Sequence, residues 1–150
     1  MFANYDHSHF PIVSVVFSET VQNENEFDLF LQKWLELYHN QRDFYFLFDT
    51  RKMQNIPLKY SIKMALFIKK LRKQPYHYLQ KSLILVNNPN IKRLLDFVFT
   101  MQSPVAPVYI WLTEESDQTI LETKLLQLSK RNLTNNIIYI KPNKSFIPFL

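Results

Sequence analysis

Polar side chains follow three predicted strands at the points where those strands end. Four of them are candidates for a small-ligand crevice: Asp49, Arg51, Asn87 and Thr113. Because open α/β sheets bind their ligands at the carboxyl ends of the strands, side chains in these positions can converge on one molecule. A structural alternative exists, since Asp and Asn also cap loop N–H groups and helix starts. The sequence leaves both interpretations open.

A second candidate site is a basic surface in the middle of the chain. No Asp or Glu occurs within residues 51–95, a stretch that is rich in lysine. The residues predicted to bind a partner or a phosphate there are Lys59, Lys63, Lys70, Lys73, Lys92 and Arg93. Such a stripe attracts an acidic protein surface, anionic lipid head groups or nucleic acid. Lysines also solvate the exposed face of ordinary helices, and this alternative is kept.

Several classes of chemistry are excluded by residues that the chain lacks. With no glycine, it cannot build the glycine-rich loops that cradle nucleotide phosphates, nor the nucleophile elbow of the α/β-hydrolases. With no cysteine, it has no disulfide, thiolate nucleophile or cysteine-ligated metal. No Ser, His and Asp set and no carboxylate pair is marked out for catalysis. We therefore predict no catalytic residues and no cofactor.

Two histidines and an aspartate lie close together near the N-terminus. Asp6, His7 and His9 fall within four residues of each other. Imidazole and carboxylate groups are metal ligands, so this segment is a candidate metal-binding tract. It lies in a terminus predicted to be flexible, and His39 and His77 are the only other histidines. We therefore predict no metal site.

Length and composition predict one domain of an intracellular protein. The chain has 150 residues and a net charge of +5, and a domain of this size buries a core without disulfides. The core is expected over residues 11–141, with residues 1–10 and 142–150 peripheral. No apolar run approaches the roughly 20 residues that span a bilayer, and the N-terminus lacks a signal pattern, so a cytoplasmic location is expected. The apolar tail, residues 145–150, either packs on the domain or binds a partner.

Hydrophobic periodicity predicts strands that alternate with helices. Short apolar runs predict five strands, at residues 11–18, 43–48, 82–86, 108–112 and 136–140. Several of these runs are apolar throughout, which is typical of strands covered on both faces. The expected fold is a single layered α/β domain with a mostly parallel five-stranded sheet and about four helices.

The first two predicted helices have the clearest sequence signals. Apolar residues from Phe27 to Tyr38 recur at helical spacing, so they share one face of a helix. Asn23 and Glu26 have the spacing of a capping box at its start. The second helix is predicted over residues 58–73, where Pro75 stops it.

Two further helices are predicted in the second half of the chain. Asn90 is expected to cap the third helix, which has an apolar stripe that ends at Met101. The fourth is predicted over residues 113–131, with Ile120 among the residues that dock on the sheet.

The middle of the chain resembles the STAS-like domains. Residues 44–49 form an aromatic strand that ends in Asp49, and a helix–strand–helix–strand succession continues from there to residue 112. The anti-sigma-factor antagonists and their SpoIIAA-like relatives have such a succession, with an Asp that closes the strand before a helix. Asp49 matches that Asp, and Thr113, Glu114 and Glu115 lie where the family has late acidic residues. The long helix before this strand is more similar to the SpoIIAA-like and CRAL-TRIO-like branch.

The resemblance implies a non-catalytic interaction domain, since these families mostly bind proteins or, in the CRAL-TRIO-like branch, lipids. The regulatory antagonists carry a phosphorylatable Ser or Thr beside a Gly, whereas residues 55–61 here read Asn-Ile-Pro-Leu-Lys-Tyr-Ser. We therefore expect an adaptor or regulator that recognises a protein partner through the helix at 58–73 and the next helix. Binding of anionic lipid or nucleic acid by the basic residues is one alternative. A small-ligand site near Asp49 is the other.

Overall fold

Six strands form one sheet in the computed structural model, which describes residues 1–142 of the chain. The strands are β1 (Ala3–Asp6), β2 (Ile12–Phe17), β3 (Phe44–Asp49), β4 (Leu79–Val86), β5 (Val108–Leu112) and β6 (Ile137–Ile140). The helices are α1 (Glu24–Leu37), α2 (Leu58–Arg72), α3 (Pro89–Met101) and α4 (Gln118–Gln127), with a 3₁₀ turn, Tyr38–Asn40, after α1. The predicted role of the apolar tail, residues 145–150, lies outside the described residues.

The strands lie side by side in chain order from β1 to β6. Strands β2 to β5 run parallel, while β1 and β6 pair antiparallel at the two edges. Each parallel step requires a crossover, and α1, α2 and α3 supply the three crossovers. The prediction of a single α/β domain with four helices is confirmed, and its sheet is mixed.

The predicted number of five strands is wrong because the N-terminal residues add a sixth. Strand β1 pairs with β2, with Ala3 opposite Phe17. Phe2 is only 2% exposed, and its ring centroid lies 5.2 Å from that of Phe17. The Tyr5 hydroxyl donates a hydrogen bond of 2.7 Å to the Phe30 carbonyl, which ties β1 to α1. Residues 2–6 are therefore part of the sheet and its core, not of the periphery.

Three helices cover one face of the sheet and α4 covers the other. The side chains of β3 alternate, so that Phe46 and Phe48 pack with α1, α2 and α3 while Leu47 packs with α4. Trp34 of α1 lies at the centre of the first face, with its ring centroid 4.8 Å from Phe46 and 5.2 Å from Phe67. In the part of the chain that the structure describes, no helix has the length and apolar composition to cross a membrane.

The predicted capping of α1 is confirmed with one change of partner. The Asn23 Oδ1 atom accepts a hydrogen bond of 3.0 Å from the Glu26 backbone N–H. Glu26 reaches back as a capping box requires, but its carboxylate accepts from the Gln22 N–H at 3.1 Å instead of from Asn23. These bonds satisfy donors that a helix start leaves unpaired.

The ends of the last two helices differ from the prediction. Asn88 caps α3, not Asn90, because Pro89 occupies the first helical position, where its missing N–H is harmless. Met101 is 48% exposed rather than buried, because it lies on the last turn of α3. Helix α4 is shorter than predicted, since Asp117 caps it and Ile120 points away from the sheet at 46% exposure.

A left-handed backbone conformation follows α1, at a position that most proteins give to glycine. Gln41 has φ 51° and ψ 40°, and its N–H donates to the Tyr38 carbonyl at 3.2 Å. Residues with a Cβ atom adopt this conformation at a cost of roughly 1–2 kcal/mol. In residues 1–142, Gln41 is the one position with positive φ. Every other turn in the described residues therefore keeps a negative φ.

We predict that Gln41→Gly stabilises the protein by about 0.5–1 kcal/mol, since glycine removes the left-handed penalty but adds disorder to the unfolded chain. Gln41→Val should destabilise it by about 1 kcal/mol, because a β-branched side chain fits this region worst. Urea unfolding followed by tryptophan fluorescence measures both. Gln74→Gly, at negative φ, is the control and should destabilise; a Gln41→Gly variant that behaves like it would contradict the prediction.

Candidate functional site

Asp49 and Arg51 form a two-pronged ion pair at the carboxyl end of β3. The Arg51 Nε atom lies 2.9 Å from Asp49 Oδ1, and its Nη2 atom lies 3.0 Å from Oδ2. The Arg51 backbone N–H also donates to Asp49 Oδ1 at 3.1 Å. Such planar pairing is the strongest form of ion pair between these side chains. The hydrogen bonds to Asp49 raise the pKa of the Arg51 guanidinium, which is charged at any relevant pH.

The Arg51 side chain also holds the loop that leaves β5. Its Nη1 atom donates to the Thr113 carbonyl at 3.3 Å and to the Glu115 carbonyl. The Thr113 hydroxyl accepts a hydrogen bond of 3.0 Å from the Glu115 N–H. The loop is therefore held both by Arg51 and by a bond within itself. One guanidinium therefore joins the ends of β3 and β5 across the intervening end of β4.

The structure brings together three of the four residues predicted to form a ligand crevice. Asp49, Arg51 and Thr113 are joined by the hydrogen bonds above, whereas Asn87 is exposed and its neighbour Asn88 caps α3. The polar atoms of the Asp49–Arg51 pair are largely engaged with each other and with the loop backbone. This arrangement corresponds to the structural alternative, in which the polar residues hold loops in place.

The predicted basic residues are mostly paired with polar partners. Lys59 lies 3.2 Å from Glu24, and Lys63 lies 2.8 Å from Asp28, so two lysines of α2 form ion pairs with α1. The hydrogen bond to Asp28 raises the pKa of Lys63. These pairs reduce the positive charge that α2 presents on its α1 side.

The two basic residues predicted on α3 are also engaged. Lys92 forms an ion pair with Asp96 one turn along the helix, at 3.0 Å. Arg93 donates to the Asn90 side-chain oxygen at 3.0 Å. Lys70 and Lys73 have no ion pair among the described residues and are exposed near the end of α2. The positive charge that is free to meet a partner is therefore concentrated at that end.

An exposed apolar surface on α2 and α3 was not recognised from the sequence. On α2, the side chains of Leu58, Ile62 and Leu66 are 58, 40 and 53% exposed. Their four-residue spacing places them on one face of the helix. On α3, which packs against α2, Phe97 and Met101 are also exposed and four residues apart. We call these five residues the α2–α3 surface; the spacing of the three on α2 was the signal that could have found it.

An apolar cavity of about 120 Å³ lies between the sheet and the helices α2 and α3. Strand residues such as Ile84 and Val108 line its floor, and Ser61, Ile68 and Val98 line it from the helices. This cavity was not predicted, because each of its lining residues has the pattern of an ordinary core position.

The N-terminal histidine segment contacts α4 and does not form a metal cluster. The His9 Nδ1 atom lies 2.6 Å from Glu122 Oε2, and the Asp6 carboxylate accepts from the Ser8 N–H at 2.9 Å. His7 stacks on the Tyr5 ring instead, with centroids 6.1 Å apart. No group of three or more metal-ligating side chains occurs within the described residues.

We predict that Arg51→Ala destabilises the protein by about 2 kcal/mol, because it leaves the half-buried Asp49 carboxylate without its partner and frees the loop after β5. The measurement is the free energy of unfolding in urea. Arg131→Ala is the matched control, since Arg131 is exposed, and it should change stability by less than about 0.5 kcal/mol. Equal effects of the two substitutions would contradict a structural role for Arg51.

We predict that the pKa of His9 lies above its usual value, because Glu122 accepts a hydrogen bond from the ring and attracts its positive charge. A raised pKa means that the contact stabilises the fold fully below about pH 6.5 and is lost as the pH rises through the raised value. An NMR titration of the histidine ring protons measures this. In Glu122→Gln the pKa of His9 should fall; an unchanged pKa of His9 in this variant would refute the assignment.

Comparisons with known proteins add no family to this picture. No protein-family model matches the sequence. No curated protein matches it at a significant level. The contacts described above are therefore the basis on which a function can be proposed for the chain.

Proposed function

We propose that the chain is a non-catalytic interaction domain whose α2–α3 surface binds an acidic amphipathic helix of a protein partner. The observation that carries this proposal is the row of exposed Leu58, Ile62 and Leu66 beside free lysines at the end of α2. A cytoplasmic location is part of the proposal, and the absence of cysteine is compatible with it.

The apolar part of the α2–α3 surface supports a docking role. Leu58, Ile62 and Leu66 occupy successive turns, so they form a strip about two turns long on the outside of α2. Single exposed apolar residues are common on proteins, but a grouped set often marks an interaction site. A partner helix that places apolar residues at spacings of three and four fits such a strip.

The charge beside the strip supports an acidic partner. Lys69, Lys70 and Lys73 lie near the last turn of α2, and none has an ion pair among the residues that the structure describes. Lysines at a helix C-terminus interact favourably with the negative end of the helix dipole. They also attract acidic groups on an approaching molecule. A partner with Asp or Glu beside its apolar residues satisfies both features of the surface.

The arrangement of strands and helices also supports an interaction role. The strands follow each other in chain order, and the three crossover helices lie on one face. This is the succession on which the resemblance to the STAS-like and CRAL-TRIO-like domains is based, and members of those families mostly act by binding. The crossover helices α2 and α3 are the elements that the resemblance proposes as the interface.

The two alternatives have less support. Nucleic acid or anionic lipid would require a wide basic surface, but Lys59 and Lys63 are already paired with α1 and Lys92 with Asp96. A small-ligand site near Asp49 would require free polar atoms, but the Asp49 carboxylate and the Arg51 guanidinium are engaged with each other. Protein binding is favoured because it uses the residues that remain exposed and unpaired.

We predict that peptides selected from a display library for binding to this protein are acidic and amphipathic, and that Leu66→Glu weakens their binding at least ten-fold. The expected loss arises because a carboxylate replaces an apolar contact and repels the acidic peptide. Fluorescence anisotropy measures the dissociation constants, and circular dichroism checks that the variant is folded.

A matched control is Leu126→Glu on the opposite face of the sheet. Leu126 of α4 is 52% exposed, against 53% for Leu66, so both substitutions cost the isolated fold a similar amount. Binding should change by less than about two-fold in this control. Selected peptides that bind Leu66→Glu as tightly as the original protein would disprove the proposed surface. Binding to phosphatidylserine vesicles that is lost in Leu66→Glu, with no selected peptide, would favour the lipid alternative.

A further inference from the structure

We infer that the cavity beneath α2 and α3 binds a small neutral molecule with an aromatic ring and a single hydrogen-bonding group, anchored by the Ser61 hydroxyl. This site is separate from the α2–α3 surface proposed above. That surface lies on the outside of the helices, whereas the cavity lies between them and the sheet.

The first observation behind this inference is an unpaired hydroxyl. The Ser61 side chain is 1% exposed, and it lines the cavity. Its Oγ atom is the one buried side-chain polar atom without a hydrogen-bond partner in residues 1–142. Buried hydroxyls in proteins nearly always have a partner, so an exception marks a place where another molecule supplies one.

The second observation is that two other polar side chains of the lining are already engaged. The Thr50 hydroxyl donates to the Leu85 carbonyl at 2.7 Å, and the Trp34 ring N–H donates to the Tyr38 hydroxyl at 3.3 Å. A buried water typically needs about two to four polar partners. Ser82 and Tyr60 also line the cavity, but its surface is almost entirely apolar. An apolar molecule with one polar group therefore fits this cavity better than water does.

The size and lining of the cavity restrict the ligand further. A volume of about 120 Å³ is slightly below that of an engineered apolar cavity of about 150 Å³ that takes up benzene. No charged residue lines the cavity within the described part of the chain, and burying an unpaired charge there would be very costly. The lining includes the rings of Trp34, Phe48 and Tyr60, which favour an aromatic ligand. The ligand is therefore neutral and close to phenol in size, which is too small for a lipid.

Access to the cavity is provided on its helical side. Met64 of α2 and Leu94 of α3 line the cavity and are only partly buried. Both are unbranched at Cβ and can change rotamer, and methionine in particular adapts to irregular spaces. A small molecule can therefore enter between the two helices without unfolding either of them.

An NMR titration of the protein with phenol, benzene and benzoate tests the inference. Methyl signals of Ile68 and Ile84, which line the cavity, should shift with phenol and saturate at millimolar concentrations. Phenol should bind about five-fold more tightly than benzene, since it adds one neutral hydrogen bond. Benzoate should cause no saturable shift, because its charge cannot be buried there.

Two variants identify the site. In Ser61→Ala the preference for phenol over benzene should disappear while benzene binds as before, and the melting temperature without ligand should not fall, because an unpaired hydroxyl has been removed. In Ala106→Val the added methyl groups enter the cavity, so both ligands should bind at least ten-fold more weakly. If Ala106→Val does not fold, the comparison of the original protein with Ser61→Ala still decides the matter.

Three results would overturn the inference. The first is that phenol causes no saturable shift up to its solubility limit. The second is that Ser61→Ala keeps the full preference for phenol, which would place the hydrogen bond elsewhere. The third is a bound water on Ser61 that phenol does not displace.

Discussion

The fold depends on the alternation of side chains along β3. Its aromatic residues Phe44, Phe46 and Phe48 all lie on the face that α1, α2 and α3 cover, while Leu47 lies on the α4 face. Successive side chains of a strand point to opposite faces of the sheet. A shift of one residue in the pairing of β3 would therefore move the three phenylalanines to the α4 face and Leu47 to the other face. The three helices pack on a layer of phenylalanine rings, whereas α4 packs on Leu83 and Leu85 together with Tyr109. The register of this strand therefore decides which helix packs where.

The same aromatic layer borders the cavity. Trp34, Phe46 and Phe48 form a cluster of rings with centroids between 4.4 and 5.6 Å apart. Rings prefer tilted and edge-to-face contacts, and rigid groups held in such contacts cannot fill every gap. Aliphatic chains fill gaps better, and α4 uses Leu121 and Leu125 for its contact. Trp34 and Phe48 of this cluster line the cavity beneath α2 and α3, so the cavity lies on the face of the core that contains these rings.

Hydrophobic pattern was enough to predict most of this architecture. Strands β2 to β6 are short apolar runs, and α1 and α3 have strong helical periodicity; a local pattern of this kind needs no knowledge of distant residues. The periodicity of α4 is weak, and its bounds were predicted too long. Strand β1 escaped prediction because Asn4 and Asp6 are residue types that strands usually lack. Its place is decided by pairing with β2 and by the burial of Phe2, neither of which is visible in the local sequence.

The candidate sites were harder to predict because their partners are distant in sequence. Lys59 and Lys63 look like free charges when the acid-free stretch is considered alone, but their partners Glu24 and Asp28 lie 35 residues away. Likewise Arg51 reaches a carbonyl 64 residues further along the chain. Ion pairs of this kind depend on the relative placement of α1 and α2, which only the folded sheet determines. Charge counted along a sequence therefore overestimates the charge that a surface presents.

Helix α2 takes part in the ion pairs, the cavity and the exposed apolar surface, since each of its sides has a different environment. One side carries Lys59 and Lys63 toward α1, a second carries Ser61 toward the cavity, and the outer side carries Ile62 and Leu66 to solvent. Its start has no side-chain cap, because Pro57 occupies the position where α1 and α3 have an asparagine. The start of α2 therefore lacks the side-chain capping bond that α1 and α3 have. The two proposed sites lie on different sides of this one helix, so a molecule bound at either site contacts the element that also forms the other.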